Sequence, residues 1–272
     1  MPSSAEASLS ALQAPRWFSA NRDKARAERY FLLYSPVWMA LMALMMLTGW
    51  AKTAGNLALL AHGCSVAAPL LLSPLWLRDR AAPWHASYAF KANLYIFVFG
   101  FYGNYFGSEY FFDVLGMVYR FPNATTTLDS ALVGSGKQQV PVIMYLYTHA
   151  YFMTYHTSAV VILRRIRSSA LPFASLSFPL AIFVVGYFWA WLETKAMANP
   201  TLAGAFYYEK MDAMLSYGSV IYSTYFLASF PFFYFIDEEK RWSAKYTLLV
   251  ALAVSMLGFY LLDFCAAAVG KL

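Results

Sequence analysis

Residues 93–119, NLYIFVFGFYGNYFGSEYFFDVLGMVY, form an apolar and aromatic run long enough to cross a bilayer, yet they carry Asn104, Ser108, Glu109 and Asp113. Runs of this kind recur along the chain and constrain its fold more than any other feature. In hydrocarbon every backbone polar group must be satisfied within the protein, which leaves helices or a closed barrel. The runs are continuous, with no period-two alternation, so a barrel is excluded and an all-α polytopic membrane protein is expected. Composition agrees: of 272 residues, 60% are hydrophobic and 12% charged, against roughly 25% charged in soluble domains.

Charge runs and turn residues divide the chain into seven expected spans, near 30–50, 54–77, 92–112, 140–163, 171–194, 213–235 and 246–268. Each suffices for a hydrocarbon core of about 30 Å. Assigning Lys and Arg to alternate sides puts fourteen on the side of the N-terminus and six on the other. The positive-inside rule then places the N-terminus in the cytoplasm and the C-terminus outside. Residues 1–29 read as a polar cytoplasmic segment with no cleavable signal, and 30–268 as a single transmembrane domain without internal repeats. The longest loop, 113–139, is Gly-, Ser- and Thr-rich and falls on the outer side. No Lys/Arg block has the setting of a nucleic-acid patch. Cys64 and Cys265 lie inside apolar runs and read as packing residues.

On this map the ionisable residues of the spans gather toward the outer side. Glu109 lies near the outer end of the third span, His149 in the outer half of the fourth, and Glu193 near the outer end of the fifth. Glu209 and Asp212 stand at the outer start of the sixth. His156, two turns below His149, is the deepest. A charged group at the centre of a span costs about 2.5–3.5 kcal/mol, so these residues are expected to face the bundle interior. Asn104 and Ser108 share one helical face, and Tyr105 and Glu109 an adjacent one. His62 and Asp263 read as groups that hold helices together by hydrogen bonds. Glu209 and Asp212 read equally well as solvated residues at a helix N-terminus, where negative charge is favoured. Asp237, Glu238 and Glu239 read as a solvated loop run. His149 and His156 are seven apart, two turns, whereas ligating pairs are usually one turn apart, and no further ligands accompany them; no metal site is expected.

Several blocks are long and unusual in composition: SANRDKARAERYFLLYSPVW (19–38), KANLYIFVFGFYGNYF (91–106), YFFDVLGMVYRFP (110–122), THAYFMTYHTSAVVILRRIRSS (148–169), YFWAWLETKAMAN (187–199), YYEKMD (207–212) and YFLASFPFFYFIDEE (225–239). In content and order they resemble the cycloeucalenol cycloisomerase family, the cyclopropyl sterol isomerases of plant sterol synthesis. The resemblance runs from about 19 to 240. It departs from the family pattern in a longer 120–140 loop, in NPTLAGAF (199–206), and at Glu109, where the plant members carry His.

The resemblance implies an isomerase that opens the 9β,19-cyclopropane of a cycloeucalenol-type sterol to the Δ8 sterol. It would do so by protonating C19 and removing the C8 proton, with no cofactor. Cyclopropane is a very weak base, so the acid must be well aimed and shielded from water. General acid–base help is worth about 10²–10⁴-fold. A carboxylic acid in apolar surroundings can hold its proton at neutral pH, and aromatic faces stabilise a carbocation without trapping it. Glu193 or His149 is the expected proton donor, and the other, helped by Glu109 or His156, the acceptor. Asn104, Tyr105, Tyr155 and Trp189 are expected to line the sterol site. Glu209 or Asp212 would orient the relay or bind the 3-hydroxyl. The sterol would enter from the bilayer, in the endoplasmic reticulum or a bacterial inner membrane; the oligomeric state is left open. The competing readings are a Δ8–Δ7 sterol isomerase of the emopamil-binding type and a non-catalytic sterol carrier.

Overall fold

The structure is a computed structural model that describes residues 15–79, 82–169 and 174–269. Seven helical rods lie among them. The first, α1, spans Arg22–Leu47, and α2 spans Asn56–Leu71, extended by a turn at Pro74–Leu77. The third rod is α3 (Tyr88–Tyr102), a π turn (Gly103–Gly107) and α4 (Ser108–Leu115). Next come α5 (Val142–Ser168) and α6 (Ala174–Met197). The sixth rod joins a π turn at Met214–Gly218 to α7 (Ser219–Phe235), and α8 (Ala244–Val269) is the last. The rods match the expected spans within a few residues, except that α1 starts eight residues before 30. Asn21 causes this early start: its side chain accepts from the amides of Asp23 at 3.0 Å and Lys24 at 3.4 Å, satisfying donors that an uncapped helix start leaves open. Part of the polar 1–29 segment is therefore helical, while residues 1–14 lie outside the described residues, as do Arg80 and Lys271 of the charge map.

Among the described residues four helical segments are long and apolar enough to cross a membrane: Arg22–Leu47, Asn56–Leu77, Leu176–Met197 and Ala244–Val269. Their outward faces carry stripes of exposed apolar side chains, such as Leu176, Leu180, Phe183 and Val184 on α6, and Leu249, Leu252 and Met256 on α8. That three-to-four-residue spacing is the apolar face of a helix, here turned toward lipid. By contrast α5 is surrounded: it packs against α1, α2, α3, α6 and α7. Being enclosed by protein, it can bury Thr148, His149, Thr154, His156 and Arg164, groups that are costly against lipid.

The protein is not wholly α-helical. Met117–Tyr119 (β1) and Phe206–Tyr208 (β2) pair antiparallel, with Met117 opposite Tyr208 and Tyr119 opposite Phe206. Gly116, at φ +66°, ends α4 in the left-handed conformation and turns the chain into β1. This ribbon joins the segment that follows α4 to the one that precedes the sixth rod. It was missed because three residues of Met, Val and Tyr give no length signal inside a loop.

At the opposite, N-terminal end the structure corrects the reading of 237–239. Arg164 grips Glu28 through two bonds of 2.6 and 3.0 Å and Glu238 through two of 2.7 and 2.8 Å. Lys24 reaches Glu238 at 2.9 Å and the carbonyls of Tyr234 and Ile236 at 2.6 and 2.7 Å. Lys91 pairs with Asp237, which is buried. Glu239 alone of the three is solvated, in an exposed pair with Arg167. Burial pushes the Glu238 carboxyl up, but its hydrogen bonds to Arg164 and the charge of Lys24 outweigh this and hold it at about 2. The network ties α1, α3, α5 and the 236–243 loop together.

Candidate active site

At the end of the rods away from the Arg164 network lies a cavity of about 370 Å³, within the range of small-molecule sites, roughly 300–1,000 Å³. Its walls come from α1, the third rod, α5, the end of α6, the ribbon and α7, and they are mostly aromatic and apolar. Ala43 and Leu47 of α1 belong to the wall yet are exposed, Leu47 by 75%. The cavity is therefore open beside Leu47, the last residue of α1.

Among the described residues one carboxyl lines it, that of Glu193. The last turn of α6 turns Glu193 inward while Trp191 and Leu192 stay on the exposed side. The Tyr222 hydroxyl donates to Glu193 Oε2 at 2.6 Å, and Tyr155 lines the same wall. Tyr119, Tyr151 and Tyr208 complete an aromatic wall that includes this carboxyl. On the α3–α5 side the Asn104 amide donates to Thr148 Oγ1 at 2.8 Å, and Thr148 shares a 2.9 Å bond with the Tyr151 hydroxyl. Tyr155 is stacked on Trp189, centroids 4.7 Å apart; Trp189 backs the wall without lining it.

Of the expected site residues, the cavity thus gathers Glu193, Asn104 and Tyr155, with Trp189 behind. His149 points elsewhere: its Nε2 lies 2.7 Å from Asn93 Oδ1. The Asn93 amide donates to the carbonyls of Leu70 and Ala89, so Oδ1 is the accepting end and His149 must donate from Nε2. The expected pairing of His149 with Glu193 is not formed. His156 is fully buried, its Nδ1 2.7 Å from the Phe152 carbonyl and its Nε2 2.7 Å from Ser229 Oγ. Tyr105 stacks on Phe101 away from the cavity. Glu209 and Asp212 are exposed to solvent. His62 and Asp263 are bonded to Tyr147 and Tyr110, as helix-joining groups.

Glu109 faces a second hollow of about 690 Å³, beside Asp113, Lys137 and Asp263. Gly134 closes on it so tightly that a Cβ there would lie 1.9 Å from Glu109 Oε2. That hollow is larger but its lining is charged, which suits water and ions better than a flat apolar ligand. Asn104 and Ser108 do line one wall together, that of the first cavity, while Tyr105 stacks on Phe101 and Glu109 faces this second hollow.

Residues not anticipated from the sequence include Tyr222, Tyr151, Tyr119 and Tyr208. Nothing singles them out among 21 tyrosines until the ribbon and α7 bring them to Glu193.

No protein-family model matches the chain, and no solved structure matches it. A curated protein does: the chain is 35% identical over 259 residues to the cycloeucalenol cycloisomerase of Arabidopsis thaliana, covering 91% of this chain and 87% of that protein. At this identity and coverage the chain belongs to the cycloeucalenol cycloisomerase family and is an isomerase.

Proposed function

We propose that the protein opens the 9β,19-cyclopropane of a cycloeucalenol-type sterol to give the Δ8 sterol, with Glu193 as proton donor to C19. The observation that carries this reading is the lone carboxyl on the wall of an apolar aromatic cavity, in a chain whose curated relative is named for this reaction. The Tyr222 hydroxyl, donating to Oε2, holds the carboxyl in place and stabilises it once its proton has left. Positive charge then develops at C9 against the faces of the surrounding rings. The cavity excludes the bulk water that would trap the cation.

On this reading the sterol enters from the bilayer through the side opening at Leu47. All seven rods cross the membrane, with the N-terminus cytoplasmic and the cavity in the outer half. The test is incubation of the purified protein with cycloeucalenol in D₂O. One deuterium in the new angular methyl of a Δ8 product is expected, and Glu193→Gln should lose the conversion. Recovery of unchanged cycloeucalenol, or a product whose cyclopropane is intact, would end the proposal. Labelling of single cysteines placed at Ser130 and Glu239 checks the topology: the two must react from opposite sides.

A further inference from the structure

The reaction needs a proton put on C19 and another taken from C8, and two groups would ordinarily share these tasks. Among the described residues that line the cavity, Glu193 carries the only carboxyl, and no His, Lys or Arg joins it. The histidines nearest in sequence to the cavity wall stay off its lining. His149 donates from Nε2 to Asn93 and its Nδ1 is buried without a partner, but neither nitrogen reaches the cavity lining; both nitrogens of His156 are taken, by Phe152 and Ser229. Glu109 faces the other hollow. The titratable groups around Glu193 are tyrosines: Tyr151 and Tyr155 from α5, Tyr119 and Tyr208 from the ribbon, and Tyr222 from α7.

We infer that Glu193 carries the whole proton cycle, giving the proton to C19 and recovering one from C8. This rests on the function proposed above. In the substrate C19 and C8 are both bonded to C9, so the two atoms are neighbours on the sterol and within reach of the two oxygens of one carboxyl. The electron pair of the C9–C19 bond forms the new C19–H bond, leaving C9 cationic and Glu193 a carboxylate. The pair of the C8–H bond then becomes the C8=C9 double bond, and the proton returns to Glu193. The acid is restored at the end of each turnover and trades its proton with solvent as the product leaves, so that C19 acquires solvent hydrogen, with no oxidant, reductant or second base.

A two-group mechanism needs one partner protonated and the other deprotonated, and gives a bell-shaped pH profile. A single recycling acid needs only its protonated form. The experiment is kcat/KM for cycloeucalenol against pH, using the full chain in lipid nanodiscs and correcting each point for the folded fraction by tryptophan fluorescence. The expected result is a plateau on the acid side and one descending limb, falling about tenfold per pH unit, as the carboxyl ionises. A corrected acid limb, making the profile a bell, would overturn the inference while leaving the ring opening intact. Failure to convert cycloeucalenol at any pH would remove the proposed function itself and the inference with it.

Discussion

The Tyr222 hydroxyl and Glu193 Oε2 meet at 2.6 Å, joining α7 to the last turn of α6 inside the cavity. A hydrogen bond to a charged group contributes about 1.5–3 kcal/mol, and here it is needed most after the proton has left. Tyr222→Phe should therefore lower kcat by about 10–100-fold with little change in KM. Steady-state kinetics check this; an unchanged kcat would show that the bond serves only to position α7.

Glu193→Gln keeps shape and removes the transferable proton. Ring opening should fall by about 10²–10⁴-fold, while binding of a sterol to the detergent-solubilised protein, read by tryptophan quenching, stays within a few-fold. Wild-type turnover in the variant would dismiss Glu193 as donor.

His149 is buried and bound to Asn93, which in turn holds α2 to α3 through Leu70. Substituting it leaves a buried acceptor without its donor, a loss of about 1–3 kcal/mol. His149→Phe should lower the unfolding midpoint in mixed micelles yet keep kcat within a few-fold at temperatures where the protein stays folded. A large fall in kcat with no fall in stability would restore His149 to the chemistry.

Arg164 neutralises Glu28 and Glu238 together. Breaking a buried pair by removing one partner costs about 3–5 kcal/mol, so Arg164→Met should destabilise the protein by that order, measured by denaturation in mixed micelles. The same network makes stability depend on acid. Glu238 is held at about 2 in the folded protein, below its ordinary 4.5. Its contribution is full above that ordinary value and is lost as pH falls from there through about 2. Glu238→Gln should flatten the stability profile in this window.

Gly107 leaves room for Tyr225: a Cβ there would lie 1.7 Å from the Tyr225 hydroxyl oxygen. Tyr225 cannot retreat easily, because Phe99, Phe111 and Phe152 pack around its ring. Since overpacking costs about 1–3 kcal/mol and Tyr225 is part of the cavity wall, Gly107→Ala should raise KM for the sterol and lower stability. An unaltered KM would show that the wall adapts.

The rods were legible in the sequence because length and apolarity mark them directly, and Glu193 and Asn104 stand out there as polar groups inside apolar runs. What was hidden depended on contacts far apart in sequence. Glu238 reads as one more loop carboxylate until Arg164, 74 residues away, is seen to bind it. His149 and Glu193 share a depth, and depth is all that a span map provides; the rotation of α5 about its axis, which sends His149 toward Asn93, is set by packing on several neighbours at once. The tyrosines around Glu193 come from three separate segments, one of them a ribbon of only three residue pairs.

The side opening beside Ala43 and Leu47 lies at one end of the rods only, with the ion network closing the other. On the proposed topology the enzyme therefore draws on a single leaflet. Sterol lodged in the opposite leaflet must first flip across, so in sealed vesicles conversion should proceed in two phases: a rapid one that consumes the accessible leaflet and a slower one paced by transbilayer movement rather than by chemistry.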